Sequence, residues 1–404
     1  MKKTSGGFRI IFMLGCCGAL AIFSSTISKS PILPIFAKSL GANGVQIGWI
    51  ASASTIPGIL ISYIAGDLAD RFGYKKILVG SLLIFASAPF LYLLVQNPLE
   101  LGTVRFFHGF ATAVFGPVAM ATIAAFSNKN TGQNLSLYSS ATMIGRALAP
   151  TAGGFTYELG GHVSVYLVAG VAGILALAAA VRFFRKPGES EDREAAQVKK
   201  SETMKVSFFK KLWGLLSYRP LLLVGMLDAC VYFAYGAFEM IFPLYARQLG
   251  MSAGEIGLLL GVQLVGIILF KPLFGRASDR LGRLPMMVTG LTVCASAFFL
   301  LVVLKSAVAI IPLILIYGLG FALITASTSA MAADVAHKGQ LGASLGILST
   351  LMDMGQTFGP PVIGALSDVC SYVTGIGVLG VVLLLAATGC VIALVKQQRS
   401  AQSV

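Results

Sequence analysis

Charge is scarce in this sequence: of 404 residues, 11% are Asp, Glu, Lys or Arg, while 56% are apolar or aromatic. A soluble chain of this length has to cover itself with polar groups, and this one lacks them, so a soluble enzyme is excluded. Histidine is nearly missing, with three copies, and none of the six cysteines stands in Cys-x-x-Cys spacing. His162 and His337 lie alone in connecting segments with no ligand partner at metal-site spacing, so no metal site is expected and the cysteines read as small packing residues. A Gly-rich loop ending in a phosphate-binding Lys is also wanting, which leaves ATP hydrolysis without its machinery. Acidic residues number 16 against 30 basic ones, a net charge of +14. In a soluble protein that balance would suggest nucleic acid; here the excess follows loop topology and anionic lipid headgroups, and no nucleic-acid partner is expected.

What the chain has instead is long apolar runs. They cover about 10–37, 45–65, 77–96, 101–125, 136–157, 163–183, 220–246, 255–273, 285–304, 309–332, 342–366 and 372–395. A bilayer-crossing helix needs about 20 apolar residues, so these twelve runs read as twelve transmembrane helices. The connections are short except for 184–219, a charged stretch read as a central linker with an interfacial helix around 208–216. The division is therefore 1–183 as an N-terminal six-helix bundle, 184–219 as a cytoplasmic linker and 220–404 as a C-terminal six-helix bundle.

An internal repeat supports that division. A shift of 209 positions lays 33–49 over 242–258 without a gap, and Pro34, Ala37, Leu40, Gly41, Ile47 and Gly48 meet identical residues. The same shift superimposes Gly66, Asp70, Arg71 and Gly73 on Gly275, Asp279, Arg280 and Gly282. The first run is thus the counterpart of the seventh and is retained, although Lys2, Lys3 and Arg9 give it the look of a signal peptide. With both termini and the linker inside the cell, 24 of the 30 Lys and Arg residues fall on the cytoplasmic side or its interface. The positive-inside rule accordingly places the protein as a multi-pass protein of the cell membrane with cytoplasmic termini.

The repeated loops GDLADRFGYKK (66–76) and GRASDRLGRLP (275–285) resemble the signature loop of the major facilitator superfamily. Gly66 and Gly275 would permit close backbone approach at a helix end. Gly73 and Gly282 would permit a tight turn, and the Asp-Arg pairs would offer charge to a neighbouring helix end or carboxylate. Two more segments are similar to those of the superfamily's proton-coupled drug exporters with twelve spans. The fourth run carries RFFHG (105–109), with His108 where the family has Gln. The fifth carries GRALAPTAGG (145–154), with Ala149 in place of a Gly, and the eleventh carries GQTFGPPVIG (355–364). In these segments Gly145, Ala149, Pro150, Gly153, Gly154, Gly355, Gly359 and Pro360 form an expected seam, where small residues let helices of opposite halves pack closely and slide. The resemblance implies an all-α membrane protein of two pseudo-symmetric six-helix bundles. It implies a secondary transporter working by alternating access, with the proton gradient as energy source, no cofactor, and export of a small organic compound. A proton-coupled or facilitated importer of a small organic anion and a lipid flippase are the alternatives; a monomer bathed in lipid is expected.

Ionisable residues inside the runs identify the expected site, since each costs about 2.5–3.5 kcal/mol at mid-membrane. They are Lys29, Arg105, His108, Arg146, Asp228, Glu239 and Asp353. Asp228, Tyr232, Tyr235 and Glu239 recur at helical spacing and stay within about 60° of one another, forming one polar and aromatic stripe. Arg105 and His108 form a second. Counted along the helices, Arg146, Asp228 and Asp353 lie at mid-depth, while Lys29, Arg105, His108 and Glu239 lie in the outer third. Asp228, with Asp353 and Glu239, is the expected proton carrier, because a carboxylate in a partly dehydrated cleft can load and release a proton. Lys29, Arg105, His108, Arg146, Tyr232, Tyr235, Tyr317 and Gln356 are the expected substrate cavity. For the outer tier two readings stand side by side: an ion pair between the halves, or Lys29 and Arg105 snorkelling to headgroups. The basic N-terminal lining leaves substrate charge open between cation, anion and zwitterion.

Overall fold

The computed structural model describes residues 4–61, 69, 72–127, 130–184, 219–304, 306–335 and 341–402. Gly66, Asp70, Arg71, His337 and all but the two ends of the linker lie outside the described residues, as does the expected interfacial helix. Within the described residues the chain is helical and contains no strand. The helices are α1 (Thr4–Ile27), α2 (Ile32–Ser39), α3 (Gly44–Ser52), α4 (Tyr74–Leu91), α5 (Pro98–Phe126), α6 (Thr131–Phe184), α7 (Arg219–Gln248), α8 (Ala253–Leu281), α9 (Arg283–Val303), α10 (Ala307–Val335), α11 (Leu341–Val369) and α12 (Tyr372–Gln402). Among the described residues, ten stretches are long and apolar enough to cross a membrane, and one of them, Thr131–Phe184, holds two of the apolar runs. α11, with 29 residues, carries the eleventh run.

The first and second runs are interrupted, and the fifth and sixth are divided inside one long helical element. α1 and α2 are separated by a turn through Lys29 and Pro31, since proline cannot donate to the carbonyl one turn back. Lys29 therefore sits in a turn, half-buried, and not within a continuous first helix. α6 is broken at Gly160 and Gly161, whose backbone angles are non-helical, and this divides 136–157 from 163–183. The second run is broken by a turn at 53–55.

Helix starts preserve the repeat in atomic detail. The Ser252 side chain accepts from Glu255 N at 3.2 Å while Glu255 accepts from Ser252 N at 2.7 Å. At the positions related by the 209-residue shift, Asn43 accepts from Gln46 N at 2.8 Å and Gln46 accepts from Asn43 N at 3.0 Å. Both pairs are reciprocal capping boxes, which satisfy donors a helix start would otherwise leave open. Gly73 (φ +88°) and Gly282 (φ +94°) turn the chain into α4 and α9, a left-handed conformation that explains why glycine recurs there.

Two compact units emerge. Among the described residues, those up to Gly41 and from Ala53 to Phe184 form the first; Ala42–Ser52 and the residues from Arg219 onward form the second. The core of the first includes Leu14, Cys17, Phe85, Phe115 and Tyr138, drawn from α1, α4, α5 and α6. In the second, Phe238, Phe242, Phe298 and Tyr317 pack ring against ring from α7, α9 and α10. α3 packs on α11 inside the second unit, although the chain on either side of α3 runs in the first.

Candidate functional site

The α7 stripe faces α10, and the two helices match level by level. Asp228 is buried, and Thr328 Oγ1 donates to its Oδ1 at 2.8 Å. Lys271 of α8 acts electrostatically on the same carboxylate. Further along α7, the Tyr232 and Tyr235 rings lie 6.0 Å apart and both meet Phe321, Tyr235 stacking on it at 4.6 Å. At the next level Tyr235 donates its hydroxyl proton to Glu239 Oε1 at 3.0 Å, and Tyr317 lies within the field of Glu239. Thr328, Phe321 and Tyr317 are seven and four residues apart, so they occupy one face of α10 as the stripe occupies one face of α7. The structure therefore brings Asp228, Tyr232, Tyr235, Glu239 and Tyr317 together in the second unit.

Two members of this cluster were not legible. Phe321 is one apolar residue in a uniformly apolar helix, and Thr328 sits in the run TASTSA (325–330), where hydroxyls usually bond back to their own helix. Thr325, Ser327 and Ser329 do so.

On α11, Asp353 is half-buried and its backbone carbonyl accepts from Thr357 Oγ1 at 2.7 Å. Gln356 lies one turn away, against Gly236 of α7. In the first unit Arg146 is exposed, whereas Arg105 and His108 are 2% and 1% exposed. Arg105 and His108 are thus enclosed and do not line an open cleft, and Arg105 does not snorkel. Tyr92 and Tyr166, absent from the sequence reading, complete their cluster: Tyr92 Oη lies 3.3 Å from His108 Nδ1, and the two tyrosine rings stack at 4.4 Å.

The glycine motifs do a different job from the one expected. A methyl group on Gly145 would collide with the Ala19 carbonyl of α1, and one on Gly153 would lie 3.0 Å from Ile27. Gly355 and Gly359 meet the Ala229 and Phe233 carbonyls of α7 in the same way. These four glycines therefore seat α6 on α1 and α11 on α7, inside their own half of the sequence, whereas Pro360 of the expected seam meets Gly48 of α3, from the N-terminal half of the sequence. Ala149, Pro150, Gly154 and Pro360 are buried beside them. Gly109, at the end of RFFHG, sits against the Ser54 backbone, where a methyl group would lie 2.6 Å from its carbonyl oxygen.

Of the signature loops, 275–285 is fully described. Arg283 Nε donates to Asp334 at 2.9 Å, Arg283 Nη1 donates to Ser278 Oγ at 2.7 Å, and Arg283 also pairs with Asp279. Arg283, not the neighbouring Arg280, is the cation that ties the loop to α10; Arg280 is exposed. Gly275 has no neighbour among the described residues within 4 Å of the position a methyl group would take.

The N-terminus of α3 has an additional partner. Asp368, at the end of α11, accepts from Gly44 N at 2.5 Å and from Val45 N at 3.0 Å. Gly44 and Gly364 are in backbone contact there, and Gly48 rests on Pro360 and Pro361.

Comparison with known proteins agrees with this architecture. The family model of the Major Facilitator Superfamily matches residues 14–252 and 226–403. The chain is similar to Multidrug resistance protein 1 of Bacillus subtilis, with 26% identity over 342 residues, 84% of this chain and 85% of that protein. It is also similar to the Quinolone resistance protein NorA of Staphylococcus aureus, with 26% identity over 363 residues, covering 88% and 90%. Among solved structures, the nucleoside transporter NupG superimposes with a TM-score of 0.78 at 14% identity, covering 95% of this chain and 98% of that one. A bacterial homolog of the human lysosomal transporter Spinster, inward-facing and unoccupied, gives 0.78 at 14% identity, with 96% of each chain covered. The chain belongs to the Major Facilitator Superfamily, a family of multi-pass membrane transport proteins rather than enzymes.

Proposed function

We propose that this protein exports small organic compounds in exchange for protons, by alternating access of two bundles, with its termini in the cytoplasm. The observation that carries this reading is the α7 stripe: Asp228, buried and held by Thr328, stands about one to two helical turns from an aromatic group built by Tyr232, Tyr235 and Phe321. A carboxylate that is charged in one state and neutral in the other changes the polarity of its surroundings, and the aromatic faces beside it offer a sequence-tolerant surface for an apolar or cationic compound. Asp353 and Glu239 are the second and third carboxylates of this pathway. Arg146, Lys29 and Gln356 complete the substrate-facing set. The relatives named for multidrug and quinolone resistance support drug or metabolite efflux as the direction and class. The energy source is the proton gradient, without a cofactor, and the working unit is a monomer in lipid.

The placement of α3 supports a moving mechanism. A nine-residue helix whose flanking chain belongs to the first unit is anchored on α11 in the second by two hydrogen bonds and glycine contacts, with no covalent link. Such a contact can be made in one state and released in another.

The test is flux in proteoliposomes with an imposed pH gradient, using a fluorescent lipophilic cation and a carboxylate compound as alternative cargoes. Export requires uptake into inside-out vesicles when their lumen is acidic. Flux only in the opposite sense marks an importer, and movement of headgroup-labelled lipid without either cargo marks a flippase.

A further inference from the structure

A buried cation in the first unit lacks a counter-charge. Arg105 is 2% exposed, its Nε and Nη1 make no hydrogen bond, and no carboxylate among the described residues lies within 4.0 Å. Guanidinium stays protonated in proteins, and enclosing one without an opposite charge costs several kcal/mol even after relaxation. Tyr92, His108 and Tyr166 make up its cluster, none of them a carboxylic acid, with the rings of Phe85 and Phe115 behind.

Tyr92 Oη lies 3.3 Å from His108 Nδ1. His108 Nε2 and the Tyr166 hydroxyl are also buried and unpaired. The unpaired set therefore consists of Nε–H and Nη1–H of Arg105 with His108 Nε2 and the Tyr166 hydroxyl. A water molecule can hydrogen-bond to such groups but leaves the guanidinium charge unbalanced. An anion accepts from every side and balances the guanidinium as well.

We propose that the Arg105, His108 and Tyr166 cluster is a binding site for a compact monovalent anion. This site is separate from the α7 and α10 stripe and does not depend on the proposed direction of transport. Its chemistry fits a free halide or the carboxylate head of a small organic compound, and both sources present a single negative charge to the same donors.

The experiment is thermal unfolding of the purified full-length protein in isethionate, a bulky anion, titrated with chloride, bromide or acetate. The expected result is a saturable rise in unfolding temperature. Response to halides with acetate inert identifies a free halide, and response to acetate identifies a carboxylate head. Arg105→Gln abolishes the rise; Tyr166→Phe, which keeps the ring and removes one donor, weakens the midpoint roughly tenfold. Tyr166→Phe also serves if Arg105→Gln fails to fold. No saturable response to any of the three anions, or a response that both variants retain unchanged, overturns the proposal.

Discussion

Thr328 Oγ1 donates to Asp228 Oδ1 at 2.8 Å across the α7–α10 contact, and this bond joins a buried carboxylate to the helix that also carries Tyr317. Asp228→Asn keeps the shape and removes the titrating group. It is expected to abolish transport driven by a pH gradient while exchange of substrate for substrate continues. Unchanged pH-driven uptake into vesicles would reject Asp228 as the carrier. Thr328→Val removes the donor from a buried acceptor and should destabilise the protein by about 1.5–3 kcal/mol, read from denaturant unfolding in detergent.

The aromatic group separates stacking from hydrogen bonding. Tyr235→Phe retains the 4.6 Å stack on Phe321 and loses only the bond to Glu239, so binding of an aromatic dye should weaken by less than about tenfold. Phe321→Ala removes the shared face that both tyrosines use and should weaken the same dye far more. Equal affinities for the two variants, measured by fluorescence titration, would place substrate elsewhere.

Asp368 caps α3 from α11, and Asp368→Ala leaves two backbone donors without that acceptor. Loss of a cap costs about 0.5–2 kcal/mol, so the unfolding temperature should fall measurably. If the α3 contact is one that transport makes and breaks, alkylation of Cys370, exposed two residues away, should also quicken. A variant with wild-type stability and labelling would show that the contact is incidental.

Glycines that look alike in sequence should behave oppositely. Gly355→Ala sets a methyl group against the Ala229 carbonyl and should lower folded yield, whereas Gly275→Ala meets open space and should leave stability unchanged or raise it by up to about 1 kcal/mol. Thermal unfolding of the pair decides the matter.

Much of this protein is written in its sequence. The scarcity of charge forced the apolar runs into a bilayer, the runs fixed the helices, and the 209-residue repeat foretold paired turns at Gly73 and Gly282. The α7 stripe was also legible, because helical periodicity alone puts Asp228, Tyr232, Tyr235 and Glu239 on one face. These are local properties, set by spacing along a single helix.

Partner choice was not local, and only tertiary structure decided it. Nothing in the apolar run of α10 singles out Phe321, and nothing in TASTSA marks Thr328 as the one hydroxyl that leaves its own helix. The motif glycines announced close packing between opposite halves; Gly145, Gly153, Gly355 and Gly359 instead seat helices within a half of the sequence, while Gly364 meets Gly44 of α3. Arg105 read as a cavity or headgroup residue until packing enclosed it with His108, Tyr92 and Tyr166. A helix's period fixes which side chains share a face; the depth to which that face is buried, and the atoms that meet it, depend on contacts between residues far apart in the chain.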